Sequence, residues 1–439
     1  MRNTLIRLGL LLGSVAILAF ITTSCTRDTA WRTQPPADCQ QGCGSSYIEE
    51  RENYELSFIE FSERGNQFDR RRTRDIINRI ERYSAQESGV AVVVFVHGWL
   101  HNASDSDRNV KSFRQVLDKI GASGILGQRQ LMGVYVGWRG KSLHGAGSEY
   151  LTYWSRKSVA EEIGTNGVSS VLLKLSEIDA RKPSNILLVA GHSFGGAMTL
   201  SAIDNILLTK MIHGLADDKP APTIGEGVVL LNPAIEANQI FALKEHSMQF
   251  AKIKEPQPEL LHVISSEGDK ATHVYFPIGQ AIAALAWDEV DFERLYNDQT
   301  YRFSEHNLDT TTIGNYQRFW TGALTLNKNN QMDAYDQPMG EWNFHDFCDS
   351  STTTHDPTTA RLPCSHQDPI VFLKTDTSFI KDHGDVFNDK VSAYMTSIVA
   401  ANMYHESKML SEQCTHQGTF SFSLCFDFFL GRFNDLNAE

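Results

Sequence analysis

The chain has 439 residues, 41% hydrophobic and 10% aromatic, enough to bury the core of a large α/β domain with insertions. Its formal net charge is −13. Its one conspicuous basic run, Arg70-Arg71-Arg72, opens a helical pattern as a solvated face, which disfavours nucleic acid as a partner.

Arg2 and Arg7 lead into LGLLLGSVAILAFI, an apolar run of 14 residues, followed by Thr22-Thr23-Ser24-Cys25. A basic start, a run too short to span a bilayer comfortably and small residues before a cleavage point describe a secretory signal over residues 1–25. Cys25 after Thr23-Ser24 resembles a bacterial lipobox, with Thr22 where leucine is usual. That resemblance implies an acylated Cys25 and a protein exported and anchored on the cell envelope. Plain cleavage and an uncleaved helical anchor are the alternatives. Six further cysteines (Cys39, Cys43, Cys348, Cys364, Cys414, Cys425) make an even set that suits disulfides in an exported chain. Six cysteines allow 15 pairings. Sequential pairing is the simplest, with Cys348 and Cys364 closing a polar loop and Cys414 and Cys425 flanking a hairpin.

Residues 26–47 are polar, contain a proline pair, and read as a tether. A core spans residues 48–276. It starts with a strand, ELSFIEF, and an amphipathic helix, RTRDIINRIERYSAQ, with Ile76, Ile77 and Ile80 on one side. VAVVVFV is a buried strand ending in His97-Gly98-Trp99. A helix (RNVKSFRQVLDKI), a strand (LMGVYVGW) and a long helical segment follow, in which aromatics such as Tyr153 read as packing. ILLVAGHSFGGAM comes next, then strands GVVLL, ending at Asn232-Pro233, and ELLHVIS, ending in SSEGDKAT. Alternating buried strands and helices predict an α/β fold with a doubly wound, mostly parallel sheet.

From 277 to 367 the rhythm breaks in a stretch rich in Asn, Asp, Thr and aromatics, too long for a plain loop. It reads as an insertion. Residues 368–406 resume the core with the strand PIVFLKT, the loop SFIKDHGDVF and a closing helix, and 407–439 form a cysteine-containing tail.

The centre of this pattern is Gly191-His192-Ser193-Phe194-Gly195, set between an uncharged strand and a helical run. A serine on so sharp a turn presents its hydroxyl above the sheet edge. Gly191 and Gly195 are needed because a Cβ at either place would crowd a neighbouring strand or helix. With the strand–turn–helix context and the His97-Gly98 strand end, the stretch from Val90 to Val274, plus the segment around His383, resembles the α/β-hydrolase superfamily and its esterase/lipase-like serine hydrolases. The resemblance implies Ser193 as nucleophile and an oxyanion hole from the N–H groups of Trp99, after Gly98, and Phe194. It also implies that the insertion at 277–367 is a lid or cap over the site.

A serine needs a base, and the base an acid partner, in the order Ser, Asp/Glu, His for this superfamily. Asp269 sits where the resembled proteins place the acid, with Glu267 in reserve. Eleven histidines follow Ser193, and His383 is preferred because it alone lies between the last buried strand and the closing helix. His192 points the wrong way to be the base. His345, Asp346, Cys348, His355, Cys364 and His366 form a rival, metal-like cluster. Their spacings match no tight ligand pair, and the exporting context favours a disulfide, so no metal and no cofactor is expected. The reading is a serine hydrolase of a small or lipid-like ester. A catalytically silent copy of the fold, serving as an envelope binding or scaffold protein, is the alternative.

Overall fold

The computed structural model describes residues 27–34, 46–142, 153–284, 288–326, 336–339, 342–348 and 356–406. Cys25, Cys39, Cys43, His355, Cys414 and Cys425 lie outside the described residues. Within the described residues no helix is long and apolar enough to cross a membrane.

The chain runs β1 (Ile48–Glu50), β2 (Glu55–Glu60), α1 (Arg70–Ser84), β3 (Val90–Val96), α2 (Arg108–Ala122), β4 (Gln130–Gly137), α3 (Tyr153–Ile163), α4 (Ser169–Asp179) and β5 (Ile186–His192). It continues with α5 (Phe194–Asp217), β6 (Gly227–Leu231), α6 (Phe241–Ser247), β7 (Leu261–Ser266) and α7 (Phe276–Ala284). The last part holds β8 (Asp291–Tyr296), β9 (Gln299–Ser304), α8 (Glu305–Thr310), β10 (Gly322–Leu326), β11 (Asp336–Met339), β12 (Trp342–Asp346), β13 (Ile370–Thr375) and α9 (Asp389–Glu406).

Among the described residues, eleven strands form one sheet in the order β1-β2-β4-β3-β5-β6-β7-β13-β10-β12-β11, with β8 and β9 a separate hairpin. Every pairing from β2 to β10 is parallel, and antiparallel strands appear only at the two edges. A strand in such a sheet is covered on both faces, which explains why β3 and β5 carry no polar alternation. In β3, Val90, Val92, Val94 and Val96 pack with Ile76 and Ile80 of α1, Leu172 of α4 and Met198 of α5. The intervening Ala91, Val93 and Phe95 pack with Val110, Phe113 and Leu117 of α2. Further along that second face, Val229 and Leu231 of β6 meet Val391, Tyr394 and Ile398 of α9. Helices on both faces of a largely parallel sheet make this an α/β protein.

Two stretches behave differently from their sequence reading. Within residues 277–367, expected as an insertion, Gly322–Leu326 joins the sheet beside β13, and Asp336–Met339 and Trp342–Asp346 extend it. The segment's polar composition hid these strands. Within residues 26–47, expected as a tether, Arg32 is buried and Ser46 and Tyr47 pack on the core. Composition alone misses this because the partners that draw Arg32 inward come from β1 and the loop after β3.

Candidate active site

Parallel strands end together, so the loops after β3, β5, β6, β7 and β13 converge at one edge of the sheet, where α/β proteins build their sites. Ser193 follows β5 with φ 57° and ψ −121°, a conformation that L residues rarely adopt. The turn is held by its backbone: the Ser193 N–H donates to Leu231 O at 3.1 Å, and its carbonyl accepts from Gly196 and Ala197 at 3.0 and 3.2 Å. The glycines answer to close approach. A Cβ on Gly195 would overlap the Val96 carbonyl, and one on Gly191 would lie 2.5 Å from Thr199 Oγ1. A Cβ on Gly98 would come within 2.9 Å of both Ser193 Cβ and His192 O, so the loop after β3 lies directly against the turn.

Asp269 lies after β7, and its buried carboxylate accepts hydrogen bonds from Ala271 N (2.8 Å), Thr272 N (3.2 Å) and Thr272 Oγ1 (2.7 Å). Its remaining partner is His383 Nδ1 at 2.8 Å. His383 Nε2 lies 2.8 Å from Ser193 Oγ. Burial by itself would raise the Asp269 carboxyl, but the hydrogen bonds and charge of His383 together with the Thr272 donors hold it below the usual carboxylate range. An ionised Asp269 fixes the Nδ1–H tautomer of His383, leaving Nε2 free to accept the serine proton. Glu267 faces away, exposed, 3.4 Å from Lys374. Among the histidines after Ser193, His262 is buried against the Tyr394 hydroxyl at 3.0 Å, His306 pairs with Glu289, and His366 lies near Asp346.

His192 is fully packed beside the site, its ring 4.8 Å from that of His383. Its Nε2–H donates to the His383 carbonyl at 2.7 Å. Burial and the neighbouring His383 push it down to about 3, so it stays neutral and positions the loop. Two groups to which the sequence reading gave no role share this work. Asn232, in the left-handed region with φ 44°, accepts from Ser266 N at 3.0 Å and donates to the carbonyls of Asp382 and His383 at 3.4 and 3.3 Å. Ser266 Oγ donates to Ile380 O at 2.5 Å. The signal for Asn232 was its place at a strand end before Pro233.

The His97-Gly98-Trp99 loop is built by His97, whose ring stacks between Tyr135 and Trp138. His97 Nε2 accepts from Trp138 N at 3.1 Å, so Nδ1–H donates to Gly98 O at 2.9 Å. Burial lowers His97 to about 4, and the neutral ring serves as a brace. Trp99 packs with Tyr153 (5.2 Å between centroids) and Phe194 (6.2 Å), placing the two N–H groups expected to form an oxyanion hole on adjoining residues. Phe194 opens the 24-residue α5, whose dipole favours negative charge at this point.

The metal-like cluster resolves differently. Cys348 and Cys364 form a disulfide, which removes both sulfurs as ligands. No group of three or more potential metal-ligating residues is found among the described residues. Comparison with protein-family models, curated protein sequences and solved structures found no match to this chain.

Proposed function

We propose that this chain is a serine hydrolase acting on carboxylic esters, of the α/β-hydrolase type. The carrying observation is the relay Ser193 Oγ–His383 Nε2 and His383 Nδ1–Asp269 Oδ2, both 2.8 Å, on a strained turn after a buried parallel strand. Two hydrogen bonds in series, ending in a buried and ionised carboxylate, are what a serine needs to become a nucleophile.

In this mechanism Ser193 Oγ attacks the ester carbonyl carbon and its proton passes to His383 Nε2. The carbonyl oxygen takes up the negative charge, facing the N–H groups of Phe194 and Trp99. The C–O bond to the alcohol then breaks as His383 returns the proton to the departing oxygen, leaving an acyl-serine. Water attacks that acyl group, His383 takes its proton and returns it to Ser193, and the carboxylic acid leaves. Asp269 stays ionised throughout and stabilises the imidazolium. Preference for an ester over an amide rests on the sequence resemblance, as does export with an acyl group on Cys25.

The test is fluorophosphonate labelling of the full chain beside Ser193→Ala. Labelling and ester turnover present in the parent and lost in the variant support the reading. A folded parent that takes no label and turns over no ester sinks it, and a silent envelope-binding protein then takes its place. The mass of the mature amino terminus tests acylation: an unmodified Cys25 or a retained Met1 removes the lipid anchor.

A further inference from the structure

We propose that the edge of the sheet carrying Ser193 is the face this chain lays against a lipid membrane, with Trp31, Phe68, Leu100, Tyr275 and Ile278 as its apolar contacts. The proposal rests on the reading of Cys25 as an acylated anchor and not on Ser193 being a nucleophile.

The first observation is how the amino-terminal segment is fastened. The Arg32 guanidinium is buried over the Phe58 ring at 3.7 Å, paired with Glu49 at 2.8 Å and Asp105 at 2.9 Å. It also donates to Ala103 O at 2.7 Å. The Glu60 carboxylate accepts from the N–H groups of Trp31 and Arg32, each at 2.8 Å. Glu60 closes β2, and Ala103 and Asp105 lie in the loop after β3. The chain is therefore pinned at the carboxyl ends of strands, the edge on which Ser193, Asp269 and His383 meet.

The second observation is reach. Seven residues separate Cys25 from Arg32, which is at most about 25 Å of extended chain. An acyl group on Cys25, which the lipobox resemblance implies, would therefore hold a membrane within that distance of Arg32. Asp28 Oδ2 also accepts from Glu63 N at 3.0 Å, just past β2, which leaves three residues to Cys25, about 11 Å of extended chain, too short to reach the opposite edge about 23 Å away.

The third is the surface itself. Trp31 is 51% exposed, Tyr275 64% and Ile278 58%, and Phe68, Leu100 and Val274 are also exposed. Each belongs to this edge: Trp31 to the pinned segment, Phe68 to the loop between β2 and α1, Leu100 to the loop after β3, and the rest to the turn after β7 and the start of α7. Tryptophan and tyrosine suit the water–lipid boundary because one side of each ring is apolar and the other polar. In a chain of net charge −13, Arg27, Arg70, Arg71 and Arg74 are exposed around Trp31 and Phe68, placing cations where anionic headgroups would lie.

The experiment reconstitutes the full chain into phosphatidylcholine–phosphatidylglycerol vesicles whose acyl chains are brominated, and reads tryptophan quenching. The expected result is that Trp31→Phe loses part of the quenching. In that background Ile278→Trp restores quenching, whereas Ile125→Trp, at an exposed position before β4, does not. Quenching unchanged by Trp31→Phe, Ile125→Trp quenched as strongly as Ile278→Trp, or a chain that fails to float with the vesicles overturns the proposal. Ser193→Ala should quench like the parent, so failure of the hydrolase reading is told apart from failure of this one.

Discussion

The two ends of β7 and β13 both hold buried or largely buried carboxylates, and the two ends treat them in opposite ways. At the carboxyl end, Asp269 accepts four hydrogen bonds and is held ionised, with a base and a serine in line beyond it. At the amino end, Glu259 precedes β7 and Asp368 precedes β13, with Asp346 of β12 lining the same small pocket. Asp368 is neutralised by the buried Lys244 ammonium. Burial, aided by Asp346 and Asp368, pushes Glu259 up to about 8. The difference teaches that a perturbed carboxyl does not by itself mark chemistry. Donors and a facing imidazole distinguish the end that carries Ser193, whereas the other end reflects the cost of crowding like charges away from water.

The sharpest way to break this comparison is to remove the acid at each end. Asp269→Asn should lower ester turnover about 10⁴-fold, as loss of the acid does in other triads, because His383 no longer keeps its productive tautomer. Glu259→Gln and Glu267→Gln should leave turnover unchanged. Initial rates on a chromogenic ester check all three, and equal rates for Asp269→Asn and the parent would remove Asp269 from the site.

The next effect belongs to stability. Lys244→Met leaves the Asp368 carboxylate buried without its cation, which costs about 3–5 kcal/mol. A lowered denaturation midpoint with unchanged turnover per folded molecule is the expected pair of readings. Reduced turnover at full folding would mean that the two ends communicate. Replacing Cys348 and Cys364 together by alanine opens a loop with a sequence separation of 16. That should cost about 3 kcal/mol, read in the same denaturation experiment with and without reductant.

The smallest effect is a slope. Glu259 binds its proton more tightly folded than unfolded, so its contribution to stability is complete at pH below the ordinary carboxyl range. That contribution is lost as pH rises through about 8. Glu259→Gln should flatten this part of the stability profile and gain on the parent toward alkaline pH. Asp269 has the reverse sign: its contribution is present above the ordinary aspartate range and is lost as pH falls through its depressed value. Urea midpoints across the pH range separate the two.

Much of the site was legible because its pieces are local. An uncharged run before Ser193, glycines at 191 and 195, and a Gly98 strand end are demands of a tight turn and of close backbone approach, and such demands show in a few adjacent letters. The alternation of strands and helices is likewise a short-range pattern, and it led to a mostly parallel sheet with helices on both faces. Asn232 and His192 were not readable as supports of the loop bearing His383, since their partners, the carbonyls of residues 382 and 383, are about 150 and 190 positions away.

By itself, then, the sequence determined where strands are buried, where the chain must turn sharply and which residue types stand at strand ends, because these depend on neighbours within a few positions. Only the tertiary structure decided that Asp269 rather than Glu267 meets His383, since the Thr272 donors turn one carboxylate inward while Lys374 keeps the other at the surface. It alone placed β10 beside β13 through the Thr321 hydroxyl, which donates to Phe372 O and accepts from Phe372 N. It alone buried Arg32 at the edge that carries Ser193. A charged side chain goes inside only where distant carboxylates, a carbonyl and an aromatic face have been assembled to receive it, and that assembly is a property of the folded chain.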